Sequence, residues 1–265
     1  MGTIIETETD VSVGVRLIPI GCQCTVERAL SAAHLKQCSY PFDSILSYPE
    51  EIHRLLSIVI DGVDANTLVG KEFFTNVHTS SLHATKYFEH YIIDSEGGAL
   101  TDLTHMVTFP HHQNTSDTYN IFARRFARLQ RHLKEAQTTD GTPILLIYCD
   151  PGGPNCHYSV NLNEDLTRES LRWLVKISQM MNNKGIKHNI LYFTYDTYLA
   201  TQMYDMRFID VIYFPAGPHW LSAYNSVLRF MNQYMRDYLS KKFIGCNVVI
   251  EANDYSNFKR LFLRS

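Results

Sequence analysis

The chain has no apolar run near the ~20 residues that a bilayer-spanning helix needs. With 13 Gly and 9 Pro in 265 residues it is too poor in both for collagen-like or low-complexity sequence. Its opening stretch, Met1 to Asp10, is polar and acidic, the opposite of a basic, apolar export leader. Neither charge sign dominates. Lys and Arg number 24 against 27 Asp and Glu, a net charge of −3, which argues against nucleic acid or a membrane surface as partner. Six cysteines in a chain of this length make no disulfide framework and read as thiols. The expected location is therefore intracellular. Phosphate-binding P-loops, G-x-G-x-x-G turns, G-x-S-x-G elbows and H-E-x-x-H helices are all missing. That argues against nucleotide motors, classical dinucleotide enzymes, elbow-type esterases and zinc proteases. No cofactor and no metal are expected.

What is present alternates between buried-type strands and amphipathic helices. Val15 to Ile20 reads as a short strand and Cys24 to Leu35 as a helix. Pro49 suits the first turn of a helix over Glu50 to Ile60. Tyr119 to Glu135 places Phe122, Phe126, Leu129 and Leu133 on one helical stripe. Ile144 to Cys149, Asn189 to Thr194 and Asp210 to Phe214 read as buried strands. Asp165 to Met181 and Leu221 to Leu239 read as helices, and Cys246 to Glu251 as a last strand. Residues 61–118 show no clean period; short strands fit at Tyr87 to Asp94 and Met106 to Phe109. The expected fold is α/β: a largely parallel sheet with helices on both faces and an irregular insertion. The expected organisation is an acidic arm over 1–14 and one domain over 15–265, with the insertion at about 61–118.

The sharpest feature is a thiol-bearing turn, Gly21-Cys22-Gln23-Cys24, between the first strand and the first helix. A thiol at a helix N-terminus faces unpaired N–H groups and the positive end of the dipole. Both favour thiolate, as a nucleophile requires, and the same N–H groups suit an oxyanion. The competing reading is two small buried residues at a tight junction. Zinc on Cys22, Cys24, His34 and Cys38 is disfavoured, because the spacing fits no usual site and a helix separates His34 from Cys24.

Ile18 to Leu30 (IPIGCQCTVERAL) and Ser39 to Asp43 (SYPFD) together resemble a domain family of bacteria and large DNA viruses described as papain-like cysteine peptidases. A second block, Phe109-Pro110-His111-His112 followed by Arg124-Arg125-Phe126, matches that family more weakly. Ser44 stands where the family commonly has Trp. The resemblance implies a cysteine-nucleophile hydrolase acting on a protein, a peptide or another acyl or amide substrate, and admits a viral origin. It places the nucleophile at Cys24, and makes His111 or His112 the first choice of base. Asp43 either orients that imidazole or caps its own turn.

Other readings stay open. His219, in Ala216-Gly-Pro-His-Trp220, sits where a GDSL-type hydrolase carries its base, with Cys24 or Cys22 replacing the serine; it also suits a helix start packed beside Trp220. Arg124, Arg128 and Arg131 share the polar face of their helix and Arg125 its edge. They form either a solvated face or an anion-binding one. A non-catalytic particle component or interaction protein is the alternative from another class. Phe73, Phe74, Tyr87, Phe88 and Tyr91 would then supply an aromatic assembly surface.

Overall fold

The structure, a computed structural model, describes residues 14–21, 24–43, 46–47, 49–69, 107–108, 116–150, 164–195, 207–214, 220–243 and 260–261. In chain order the elements are β1 (Arg16–Pro19), α1 (Thr25–Ala32), β2 (Leu46–Ser47), α2 (Pro49–Ile60), α3 (Ala65–Leu68), β3 (Val107–Thr108) and α4 (Ser116–Ala136). They continue with β4 (Ile144–Cys149), α5 (Glu164–Asn183), β5 (His188–Thr194), β6 (Ile209–Tyr213), α6 (Trp220–Gln233), α7 (Met235–Phe243) and β7 (Arg260–Leu261).

The main sheet runs β1-β4-β5-β6-β7. The first four strands are parallel, with Leu17 opposite Leu145, Leu146 opposite Ile190 and Tyr192 opposite Val211. β7 closes the far edge antiparallel to β6. β4 and β5 are buried at every position, which is why they read as unbroken apolar runs rather than alternating ones. Alternate side chains go to opposite layers. Ile18, Ile144, Leu146, Ile190 and Val211 pack with Ile52 and Leu55 of α2, Phe122 and Phe126 of α4 and Leu174 of α5. Leu17, Leu145, Ile147, Leu191 and Ile212 pack with Val26 and Leu30 of α1, Val227 of α6 and Met235 of α7. The α/β fold with helices on both faces is thus what the alternating pattern called for.

Several boundaries differ from expectation. The first helix stops at Ala32, three residues early, because His34 takes a left-handed φ of 56°. Leu35 N–H then reaches back to Leu30 O and His34 N–H to Ser31 O, a Schellman-type end. The single helix expected over 221–239 is two, broken at Tyr234, yet Val227, Met231, Met235 and Tyr238 still form one buried stripe across both. Within 61–118 the chain is regular at β3, inside the strand expected at Met106 to Phe109, and at α3, which the pattern did not reveal. Asp64 caps α3 by accepting from Asn66 and Thr67 N–H, and β3 pairs antiparallel with β2. β7 was not foreseen either; two residues carry no period. The strands expected at 87–94 and 246–251, and residues 1–13 of the arm, lie outside the described residues.

Among the described strands β1 is at the edge, with β4 on one side. Its open side is closed by a side chain. Gln37 Nε2 donates to Val15 O (3.0 Å) and Gln37 Oε1 accepts from Leu17 N–H (3.2 Å), so one amide group stands in for a neighbouring strand. From there residues 37–43 run back along β1, between it and α4. Contacts mark the path: Arg128 Nη1 donates to Ser39 O at 2.5 Å, the Tyr40 hydroxyl meets His132 Nδ1 at 2.8 Å, and the Phe42 ring meets Phe126 edge-on at 6.4 Å.

Candidate functional site

Parallel strands place their carboxyl ends along one edge, where open α/β sheets do their chemistry. The described parallel strands stand in chain order, with no reversal to open a crevice, so the site rests on particular residues rather than on topology. Gly21 leaves β1 buried, and Cys24 opens α1 as its N-cap, at φ −64° and ψ 2°. Cys24 O accepts from Arg28 N–H at 2.9 Å, while no side chain caps the first turn. Most helices place Ser, Thr, Asp or Asn here, whose oxygen would occupy those amides. A thiol caps poorly, so the first-turn N–H groups stay available for another acceptor.

The thiol is not pre-ionised. Burial pushes the Cys24 thiol above its usual pKa, outweighing the Arg28 charge that pulls it down, and Glu27 adds to the rise. The expectation of a lowered pKa is therefore corrected: desolvation of a half-buried sulfur beats the one cation nearby. A nucleophile in this setting needs a base that takes its proton during attack.

Asp43 is the second member. It is 1% exposed, and both carboxylate oxygens lack a donor in hydrogen-bond geometry. Lys36 Nζ stands 3.3 Å from Asp43 Oδ2, near enough for an ion pair. The same ammonium lies 2.5 Å from Glu27 Oε1, in the first turn of α1. One lysine thus ties the helix that starts at Cys24 to the turn that carries Asp43. Burial raises the Asp43 pKa to about 6, against the opposing pull of Lys36 and Arg125. The Tyr40 backbone N–H also favours the charged carboxylate, as it would in a turn cap, although neither oxygen has a hydrogen bond of good geometry among the described residues. Beside Cys24, the Thr25 hydroxyl is also buried, with no hydrogen-bond partner among the described residues. Buried polar atoms are nearly always paired, and among the described residues these have no partner of good geometry.

The arginines divide. Arg125 is half-buried and its charge acts on Asp43. Arg128 holds the Ser39 carbonyl, and Arg124 is exposed. His111, His112, Cys22 and His219 lie outside the described residues. Asp210, near His219 in sequence, is committed elsewhere: Tyr238 donates to its Oδ2 at 2.6 Å and Asn189 Nδ2 at 2.8 Å. Cys38 is half-buried beside Tyr40, and His34 is exposed at the far end of α1. At the end of β4, Asp150 is buried and accepts from the Tyr192 hydroxyl at 2.7 Å.

Sequence reasoning missed Lys36, Thr25, Tyr40 and His132. Lys36 lies outside both quoted blocks, and Thr25 sits within the first block without any role assigned to it. His132 had a signal: it lies on the apolar side of α4, between Leu129 and Ala136, and is 2% exposed. Among the described residues no helix is long and apolar enough to cross a membrane. Leu221 is the one large apolar side chain exposed among them, so the aromatic assembly surface gains nothing from this part of the chain. Comparison with protein-family models, with curated proteins and with solved structures finds no match for the chain.

Proposed function

We propose that this protein is a cysteine-nucleophile hydrolase acting at an acyl or amide carbon, and that it belongs with the papain-like peptidase family its first block resembles. Cys24 attacks, His111 or His112 takes the thiol proton, and Asp43 orients that imidazole. The observation that carries the reading is the buried Asp43 carboxylate, without a hydrogen bond of good geometry among the described residues, which Lys36 links to Glu27 in the first turn of α1. A buried carboxylate beside a single ammonium can still accept from a further donor, and an imidazole N–H would supply one.

The step balances simply. The Cys24 sulfur bonds to the carbonyl carbon as its proton passes to the imidazole. The oxyanion that forms accepts from the uncapped N–H groups of the first turn. The leaving amine or alcohol takes the proton from the imidazole, and water then hydrolyses the thioester. A peptide is the substrate class the resemblance suggests.

The second reading is a non-catalytic interaction protein, favoured by the burial that holds the Cys24 proton on. Alkylation with iodoacetamide across pH 5–9, read by peptide mass spectrometry, separates the two. The hydrolase reading expects fast labelling of Cys24 that His111→Ala or His112→Ala slows, and a Cys24→Ser variant that loses turnover while its unfolding midpoint holds. Labelling of Cys24 only after unfolding makes it a core residue and overturns the proposal.

A further inference from the structure

The main chain at Lys36 is fastened on both sides. Its backbone N–H donates to Leu30 O at 3.2 Å, inside the turn that ends α1. The next residue, Gln37, is pinned to β1 through Val15 O and Leu17 N–H. From this fixed base the side chain reaches back to the first turn of α1, where Nζ meets Glu27 Oε1 at 2.5 Å. Ser31 Oγ donates to the same oxygen at 3.1 Å, so Glu27 is itself held. The ammonium then stands 3.3 Å from Asp43 Oδ2. Its place is set by backbone and anchor together, before any other group arrives.

Burial decides what this ammonium does. Asp43 is buried, while Lys36 and Glu27 keep partial access to water. A buried carboxylate stays ionised only where nearby charge replaces the water it has lost. Burial acts most strongly against the Asp43 charge. Lys36 is the largest opposing influence, followed by Arg125 on α4, while Glu27 works on the side of burial. Cys38, in the same segment as Asp43, feels that charge in return. Burial pulls at the Lys36 charge too, yet Asp43 and Glu27 outweigh it and raise its pKa, so the ammonium keeps its proton through the neutral range. Glu27 therefore has two opposed effects: it repels Asp43 directly and anchors the cation that supports it.

We propose that Lys36 is a positioning residue of the Cys24 site: anchored by Glu27, its ammonium holds the Asp43 carboxyl ionised and in place to accept an imidazole N–H. Lys36 acts through Asp43 and is neither nucleophile nor base. Its role in turnover rests on the hydrolase reading; its hold on Asp43 does not. Without the ammonium much of Asp43 is protonated at neutral pH, and a neutral carboxyl loses the attraction that fixes the ring's tautomer.

The test follows Asp43 and Cys24 separately across pH 4–9 in the full chain. The Asp43 carboxyl carbon is followed by 13C NMR, with Asp43→Asn supplying the assignment. Cys24 is followed by its rate of alkylation with iodoacetamide. In the wild type the carboxyl titrates with a midpoint of about 6. Lys36→Met keeps an unbranched stem and removes the charge. It moves that midpoint up by about one pH unit or more, and the acid limb of Cys24 labelling moves with it. Lys36→Arg restores both. At the acid end of the range Asp43 is neutral, so the Met variant buries no unpaired charge there. If that variant does not fold, the Lys36 Nζ resonance of the wild type decides, since it shifts with the Asp43 midpoint. An Asp43 midpoint that Lys36→Met leaves in place, or an Nζ resonance indifferent to it, overturns the proposal even where Cys24 labels fast. A moved Asp43 midpoint with an unmoved Cys24 profile leaves Lys36 a counter-ion and overturns the positioning role. Labelling of wild-type Cys24 only after unfolding overturns the hydrolase reading and the positioning role with it, whatever the Asp43 midpoint does.

Discussion

Asp43→Asn tests the candidate site through its thermodynamics. Burial outweighs Lys36 and Arg125 and raises the Asp43 pKa from 3.8 to about 6 in the folded protein. The folded state therefore binds this proton more tightly than the unfolded chain does. Stability contributed by Asp43 is greatest below pH 3.8 and falls as pH rises to about 6, then stays level. At 1.36 kcal/mol per pKa unit, the loss between pH 4 and pH 7 is about 2–3 kcal/mol. Asparagine has no such proton to lose. Urea unfolding of both proteins at pH 4 and pH 7 isolates the term, because all other titrating groups cancel between them. The gap between variant and wild type moves toward the variant by about 2–3 kcal/mol on going to pH 7. A gap constant to within about 0.5 kcal/mol refutes the buried, poorly solvated carboxylate and with it the orienting role. If the hydrolase reading holds, the stabilised variant also loses turnover, since a neutral amide orients an imidazole poorly.

Two further substitutions probe the frame. Tyr238→Phe removes the hydroxyl that donates to Asp210 Oδ2 at 2.6 Å and accepts from Asn189 Nδ2 at 2.9 Å. The expected cost is about 2 kcal/mol in urea unfolding, because a hydrogen bond to a buried carboxylate goes unreplaced. His34→Gly relieves a left-handed residue at the end of α1, where φ is 56°. It stabilises by up to about 1 kcal/mol in the same assay, because glycine adopts that φ without a Cβ clash.

The legible part of the fold was the part where one periodicity ruled. β4, β5 and α4 announce themselves because each position answers to burial alone: Ile144 to Cys149 is buried throughout, and Phe122 to Leu133 marks one stripe. β2 and β7 were not legible, since two-residue ladders are set by what lies opposite them, such as Leu46 against Thr108 of β3, itself expected within Met106 to Phe109. The early stop of α1 was hidden for a related reason. His34 is no glycine, and only the returning bonds of Leu35 and His34 fix the end there. Cys24 and Asp43 could be named from the first block alone. Their electrostatics could not: the Cys24 proton is held by burial, which depends on the neighbours that cover it. Lys36, nine positions beyond Glu27 and seven before Asp43, reaches both only because α1 ends and the chain doubles back.

The segment 37–43 has a consequence for the order in which the molecule is assembled. Tyr40 and Ser39 are clamped by His132 and Arg128, partners 92 and 89 residues later in the chain. Gln37 and Lys36, by contrast, bind groups already made, 22 and 9 residues earlier. During synthesis from the N-terminus, the ribosome delivers the thiol, the lysine bridge and the edge-closing glutamine as one local unit. The aspartate turn waits for α4. A chain arrested before Ser116 carries every residue of the first block yet lacks the α4 surface against which the Ser39–Asp43 turn packs, so that turn is seated only when nearly half the protein has emerged.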